Sequence, residues 1–282
     1  NCAPVTRIAV FYKEDGSADT YFIPAELPVH TFIDTQIIAE SPDEYFWAGI
    51  GDAFSKGPEV ELSSREVELL HSPLMGRALA AGACIEPLFD NAEQALADKR
   101  AGIVSEAFEN VVLNIIITAG VVSNMTANIG AERGAYYFNS STAHAFYNAF
   151  TALGERGEKH LHGEVVSFGT CVLYAFDGNL KALEEQVALN RKLGLPTTLA
   201  DLDITPESVD ADLDVIVERA QKTNEWGRAP YGFTTDRFRQ AILDTDAYGR
   251  AVAAGEKDQE AAALDVIAAH APSAETAVPR KM

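Results

Sequence analysis

S-S-T-A-H-A-F-Y-N-A-F-T-A-L-G-E-R-G-E-K-H-L-H-G-E-V-V-S-F, residues Ser140 to Phe168, carries three of the six histidines in this chain. Small residues crowd in ahead of His144, and Ser141 or Thr142 can cap a helix bearing it, because a hydroxyl accepts an otherwise orphaned backbone N–H. His162-Gly163-Glu164 then opens a second helix, which continues V-V-S-F-G-T-C-V-L-Y-A-F. Two adjacent antiparallel helices joined by a polar loop, 154–159, would bring His144 and His162 face to face. Neutral imidazoles converging from neighbouring helices are a common way to hold a transition metal. A lone helix histidine is more often structural, so the pair needs a third ligand.

The third ligand is sought upstream. Ser41-Pro42-Asp43-Glu44 reads as a capping box with proline at the first helical position. The helix it opens, Y-F-W-A-G-I-G-D-A-F-S-K, carries Gly49, Gly51 and Asp52 among large apolar residues. Each glycine inside a helix costs about 1 kcal/mol relative to alanine, so something is expected to approach the helix backbone closely there. Asp52, in an otherwise apolar segment, is the candidate third ligand; the alternative is an ordinary helix aspartate.

The remaining chain reads as mainly α. Val5 to Tyr12 is β-branched and aromatic, Asp15-Gly16 is a hairpin signal and Tyr21 to Pro24 the return strand. A further strand is expected over Val29 to Ile33, giving the edge of a larger sheet. Residues 58–72 read as a loop and Pro73 to Asp98 as helical. Ala101 to Ser123 reads as one fully buried helix, and Leu180 to Leu193 as an amphipathic helix stopped by Gly194 and Pro196. Helices capped at Thr205-Pro206-Glu207 and Thr235-Asp236 follow, ending near Thr223 and Ala254. A loose helix and a disordered tail complete the chain. The domain reading is therefore 1–39 hairpin and edge strand, 40–254 helical metal-binding domain and 255–282 tail.

Composition excludes some partners. In 282 residues, 42 acidic against 22 basic side chains give a formal net charge of −20, which disfavours a phosphate backbone and hence nucleic acid. No membrane association is expected from the sequence. The three cysteines, Cys2, Cys84 and Cys171, are far apart and read as reduced thiols in a cytoplasmic protein. There is no G-x-x-x-x-G-K-[ST], dinucleotide fingerprint, G-x-S-x-G or H-E-x-x-H.

Several stretches together resemble the glycerol dehydrogenase branch of the iron-containing (group III, metal-dependent) alcohol dehydrogenases. They are Ala3-Pro4 before the hairpin, I-D-T-Q-I-I-A at 33–39, A-G-I-G-D-A at 48–53, A-H-A-x-x-N at 143–148, H-G-E-V-V-S-F-G-T at 162–170 and G-L-P-T-T-L at 194–199. The resemblance implies one divalent cation, zinc or iron, held by Asp52, His144 and His162. One carboxylate and two imidazoles leave an open position for an alcohol or carbonyl oxygen, on which the cation acts as a Lewis acid. It implies NAD as hydride acceptor, with Thr6, Ile8 and Tyr12 at cofactor-contact positions. Cys2, together with the three ligands, would face a small alcohol, polyol or hydroxy-acid substrate.

The family begins with a Rossmann-like nucleotide-binding domain, and Asn1 falls just after it. The chain is therefore expected to be a C-terminal portion whose hairpin would complete that domain's sheet. It should be inactive by itself and form a homo-oligomer in the complete protein. Two departures bear on substrate: Cys2 stands where glycerol-specific members carry aspartate, and Tyr147 where many carry a second histidine. Hydroxycarboxylate (2-oxo-acid) reductases of the same family are therefore the alternative, and a non-catalytic metal-binding or oligomerisation module the rival of a different class.

Overall fold

In the computed structural model, which describes residues 3–6, 8–12, 18–22, 27–128, 135–272 and 280–281, the chain is built from helices around two apolar clusters. At the start, β1 (Ile8–Tyr12) and β2 (Ala18–Phe22) form an antiparallel hairpin with Val10 opposite Thr20. The expected strand at 29–33 is not one. Val29 and Phe32 are exposed and unpaired with any strand among the described residues, and Asp34 ends the stretch by capping α1 (Thr35–Glu40) through Gln36 N and Ile37 N. Four two-residue strand pieces remain among the described residues: β3 (Val67–Glu68) beside β6 (Arg280–Lys281), and β4 (Ala127–Asn128) beside β5 (Tyr136–Tyr137), making two pairings. The disordered-tail expectation falls largely outside the described residues.

Helix α2 (Asp43–Ser64) is the long axis of the fold. Its start differs from the expected capping box: Pro42 is the N-cap, and the Ser41 hydroxyl donates back to Ile38 O, closing α1 instead. Its end differs more. The helix runs through Pro58 to Ser64 where a loop was expected, because that last stretch is buried, with Val60 and Leu62 both in the core. Burial of such side chains, about 1.5–3 kcal/mol each, outweighs the single backbone bond that proline removes.

The expected helix over 73–98 is two, α3 (His71–Ala81) and α4 (Glu86–Arg100), separated at Gly82–Ile85. The segment after Arg100 becomes α5 (Glu106–Leu113), a π-helical turn at Asn114–Thr118 and α6 (Ala119–Thr126). By length and composition, 106–126 could cross a membrane. Here one side packs Phe108, Val111 and Val112 into the core while Leu113 and Val121 face outward, so it is not the fully buried helix expected.

The second half holds α7 (Thr142–Phe150), a short α8 (Glu155–Lys159) where a loop was expected, α9 (His162–Asp177) and α10 (Leu180–Leu193), followed by α11 (Val209–Ala220), α12 (Thr235–Ala254) and α13 (Lys257–His270). Helix α11 starts later than expected, at N-cap Ser208, after a turn at Thr205–Ser208. Thr234 rather than Thr235 caps α12, accepting from Arg237 N. Phe146, Phe150, Phe168, Phe176 and Phe238 fill the core shared by α7, α9 and α12.

Two glycines let α2 and α9 meet. A Cβ on Gly163 would sit 1.7 Å from Ala48 O, and one on Gly51 would sit 2.4 Å from Gly163 O. The close backbone approach expected at Gly51 is thus the first turn of α9. This crossing places Asp52 beside His162.

Candidate metal centre

Three helices each contribute one donor. Asp52 lies on α2, His144 on the first turn of α7, and His162 is the first residue of α9. Asp52 Oδ1 is 3.2 Å from His162 Nε2 and 3.5 Å from His144 Nε2. One ligand atom from each residue lies within 4.8 Å of the other two, and the imidazole centroids are 5.3 Å apart. Donors bound at about 2.0–2.2 Å to a tetrahedral zinc-like ion lie roughly 3.3–3.6 Å from one another. The Asp52–His144 distance falls in that range and the Asp52–His162 distance 0.1 Å short of it. The set, one carboxylate and two imidazoles, suits zinc or iron, so these residues fit a divalent cation.

A polar stripe on α2 delivers His144. Asp52, Lys56, Glu59 and Ser63 recur at helical spacing and meet the segment 138–144. The Lys56 ammonium donates to Asn139 O at 3.1 Å and to Asn139 Oδ1 at 2.8 Å. The Ser63 hydroxyl donates to Phe138 O at 2.8 Å. Glu59, 0% exposed, accepts from Ser141 N at 2.8 Å and His144 N at 2.9 Å, and its other oxygen lies 2.6 Å from His144 Nδ1. From the opposite side Glu225 accepts from Tyr137, Ser140 and Asn148.

Ser141 is the N-cap of α7 by position, but neither its hydroxyl nor that of Thr142 finds a partner among the described residues. The expected hydroxyl cap is therefore corrected: the Glu59 carboxylate does that work. Sequence reasoning missed Glu59 because it ended α2 before Pro58. The available signal was its spacing, two helical turns beyond Asp52.

His162 is seated differently. Glu164 reaches back to Leu161 N at 3.0 Å and closes the first turn of α9, and the Tyr147 ring stands edge-on to the His162 imidazole, 4.1 Å between centroids. His160 is turned away from the centre, with Nδ1 2.9 Å from Glu164 Oε1, Nε2 3.2 Å from Asp203 Oδ2 and its ring against Phe150.

The charges interlock. Burial alone would raise the Asp52 carboxyl, but the charge of His162 and its hydrogen bond, with His144 and Lys56 behind them, hold it well below the usual carboxylate range. Glu59 is likewise raised by burial and lowered more strongly by His144 and the two backbone N–H groups. Burial lowers His144, but Glu59 and then Asp52 raise it overall. A site that keeps two carboxylates ionised beside two imidazoles is poised for positive charge.

Of the other sequence-derived positions, Thr6 is buried in the turn before β1, its hydroxyl donating to Ala3 O at 3.2 Å; the neighbouring Val5 O accepts from Asn124 of α6. Ile8 and Tyr12 lie in β1, but their side chains are outside the described residues, as is Cys2.

Over 253 residues, 88% of this chain, the sequence is 31% identical to the glycerol dehydrogenase of Escherichia coli O6:H1, of which it covers 65%. The chain is thus similar in sequence to glycerol dehydrogenases, and its fold is shared with the iron-containing alcohol dehydrogenases. No protein-family model matches it. It is 29% identical to hydroxycarboxylate dehydrogenase A of Escherichia coli K12, again over 88% of the chain and 66% of the relative. The crystal structure of glycerol dehydrogenase from Schizosaccharomyces pombe superposes with a TM-score of 0.77 at 27% identity, covering 90% of this chain and 63% of the other. An iron-containing alcohol dehydrogenase from Thermotoga maritima shares the fold at a TM-score of 0.55 and 19% identity. The chain thus spans less than two thirds of the length of these relatives, between 59% and 66% of each.

Proposed function

We propose that this chain supplies the metal-binding portion of an NAD-linked oxidoreductase acting on the CH–OH group of a small alcohol or polyol. Asp52, His144 and His162 would hold one zinc or iron ion. The observation that carries the reading is the convergence of these three donors, from three helices, at ligand-like spacing. When bound, the cation would polarise an alcohol or carbonyl oxygen at its open position, and NAD would accept or return the hydride.

The protein's own contribution is placement. Asp52 stays ionised and the imidazoles turn Nε2 toward it. Buried Tyr147 covers one side of His162 and excludes water there. Thr6, Ile8 and Tyr12 are proposed to face the cofactor, and Cys2, with the ligands, the substrate. The domain division at about residues 39 and 254 belongs to the same proposal.

A second reading is favoured by Cys2: a 2-hydroxy acid or 2-oxo acid in place of glycerol. A thiol is a poor acceptor for a polyol hydroxyl, is mostly uncharged at neutral pH and does not repel a carboxylate substrate. The name of the hydroxycarboxylate dehydrogenase relative is in line with this.

The test is to load the protein with Zn²⁺ or Fe²⁺, count metal per chain, and, with the chain joined to a nucleotide-binding domain of the family, compare NAD-linked turnover of glycerol with that of 2-oxobutyrate. One metal per chain, lost in His144→Ala, supports the reading. Retention of metal in that variant refutes the ligand set. Equal turnover with and without metal refutes the mechanism.

A further inference from the structure

Glu59 is the buried carboxylate that the proposed mechanism leaves without a role. It lies 0% exposed, two turns along α2 from Asp52, and makes three contacts. One oxygen accepts from Ser141 N at 2.8 Å and His144 N at 2.9 Å. The other is 2.6 Å from His144 Nδ1.

These contacts divide into two tasks. The first oxygen replaces the missing side-chain cap of α7, since Ser141 and Thr142 leave their hydroxyls unpartnered among the described residues. A carboxylate at a helix N-terminus also meets the positive end of the helix dipole. The second oxygen can only accept, so the proton of a neutral His144 must sit on Nδ1. That leaves the Nε2 lone pair bare on the side facing Asp52, 3.5 Å away. Glu59 itself lies behind the ring, on the Nδ1 edge, and so is not a fourth ligand.

We propose that Glu59 is the positioning residue of the metal centre, one carboxylate that caps α7 and fixes His144 in the tautomer able to bind a cation. This rests on the reading of Asp52, His144 and His162 as ligands. The two tasks are separable by substitution. In Glu59→Gln the amide oxygen keeps its place opposite the two backbone N–H groups, since a flipped amide would point donors at donors. Its NH2 then faces His144 Nδ1 and donates, which forces the proton to Nε2 and blocks ligation. Glu59→Ala removes both tasks.

The experiment titrates Co²⁺ against a competing chelator in the parent and both variants, alongside metal-free thermal unfolding and ¹⁵N imidazole NMR. Glu59→Gln should keep helix content close to the parent while losing about 10–100-fold in Co²⁺ affinity, the usual range for removing a ligand's outer partner. Glu59→Ala should lose at least as much affinity and also unfold at lower temperature. Metal-free parent, at a pH where imidazoles are neutral, should show His144 protonated on Nδ1. Co²⁺ affinity in Glu59→Gln within about threefold of the parent overturns the proposal, and so does a parent His144 carrying its proton on Nε2. If Glu59→Gln fails to fold, the tautomer in the parent decides. If the parent binds no Co²⁺, the ligand assignment is rejected, and the tautomer still decides what Glu59 does to His144.

Discussion

His144 and His162 approach the same aspartate from two helix starts, but their seats are built on different principles. His144 is held by polar contacts from a distant element: Glu59 on its Nδ1 and backbone N–H, with Lys56 and Ser63 fastening the preceding segment to α2. His162 is held by backbone packing. Gly163 lets α9 press against Ala48 O of α2, and among the described residues the only polar contact of its ring is to Asp52. A ring held by a buried carboxylate is sensitive to chemistry, whereas a ring held by a helix crossing is sensitive to volume.

The largest expected effect is therefore at the smallest residue. Gly163→Ala puts a methyl group 1.7 Å from Ala48 O, so α2 and α9 must separate. Overpacking of this kind typically costs about 1–3 kcal/mol, occasionally more. Asp52 and His162 should part with the helices, so thermal unfolding should show a lower midpoint and metal analysis a cation content near zero. A variant as stable as the parent would show that crossing to be loose, and the contrast would fail.

Next come the histidines themselves. His144→Ala and His162→Ala should both lose nearly all bound metal, but their metal-free stabilities should differ. Removing His144 strips a fully buried carboxylate of its ring partner, a penalty of about 1–3 kcal/mol. Removing His162 strips Asp52, whose side chain is 17% exposed and can be rehydrated. Denaturant unfolding of the two metal-free variants checks the ordering, and equal losses would break the comparison.

A smaller effect is expected in acid, from the support beneath the His162 seat. Helix α8, just before His162, is tied to α11 by the Arg156–Asp212 pair, and Asp212 is 7% exposed. Burial raises Asp212, but hydrogen bonds from Arg156 and Ser208 and the Arg156 charge bring it below its ordinary value. A depressed folded value means that this stabilisation is complete above the unfolded carboxylate range, near 3.9. It is lost as pH falls through the folded value. Asp212→Asn should flatten that acid limb in pH-dependent unfolding while leaving metal affinity at neutral pH unchanged.

His160→Ala should matter least to the centre. Its ring serves Glu164, Asp203 and Phe150, so about 1 kcal/mol of stability is at stake, with cation content within twofold of the parent. Loss of the metal in this variant would move the ligand from His162 to His160.

The contrast between the seats also explains what could be read before the structure. The helices carrying His144 and His162 and the αL stop at Gly194 were legible in the local sequence, although the cap of α7 was not. Gly51 signalled a close approach, and the approaching backbone is α9. Pro58 misled, because a local rule ended a helix that tertiary burial carries on to Ser64. With that error Glu59 left the Asp52 face and its role vanished from view. The strand expected at 29–33 failed for the converse reason: apolar residues without a neighbouring strand to pair with do not make one.

The central claim is that one cation sits among Asp52, His144 and His162. Zinc X-ray absorption on protein carrying one Zn²⁺ per chain tests it most directly. The expected result is a shell of nitrogen and oxygen donors at about 2.0–2.2 Å, with outer-shell scattering from two imidazoles, and one imidazole fewer in any zinc retained by His144→Ala. A sulfur shell at about 2.3 Å, or a two-imidazole signal that survives in His144→Ala, would contradict it.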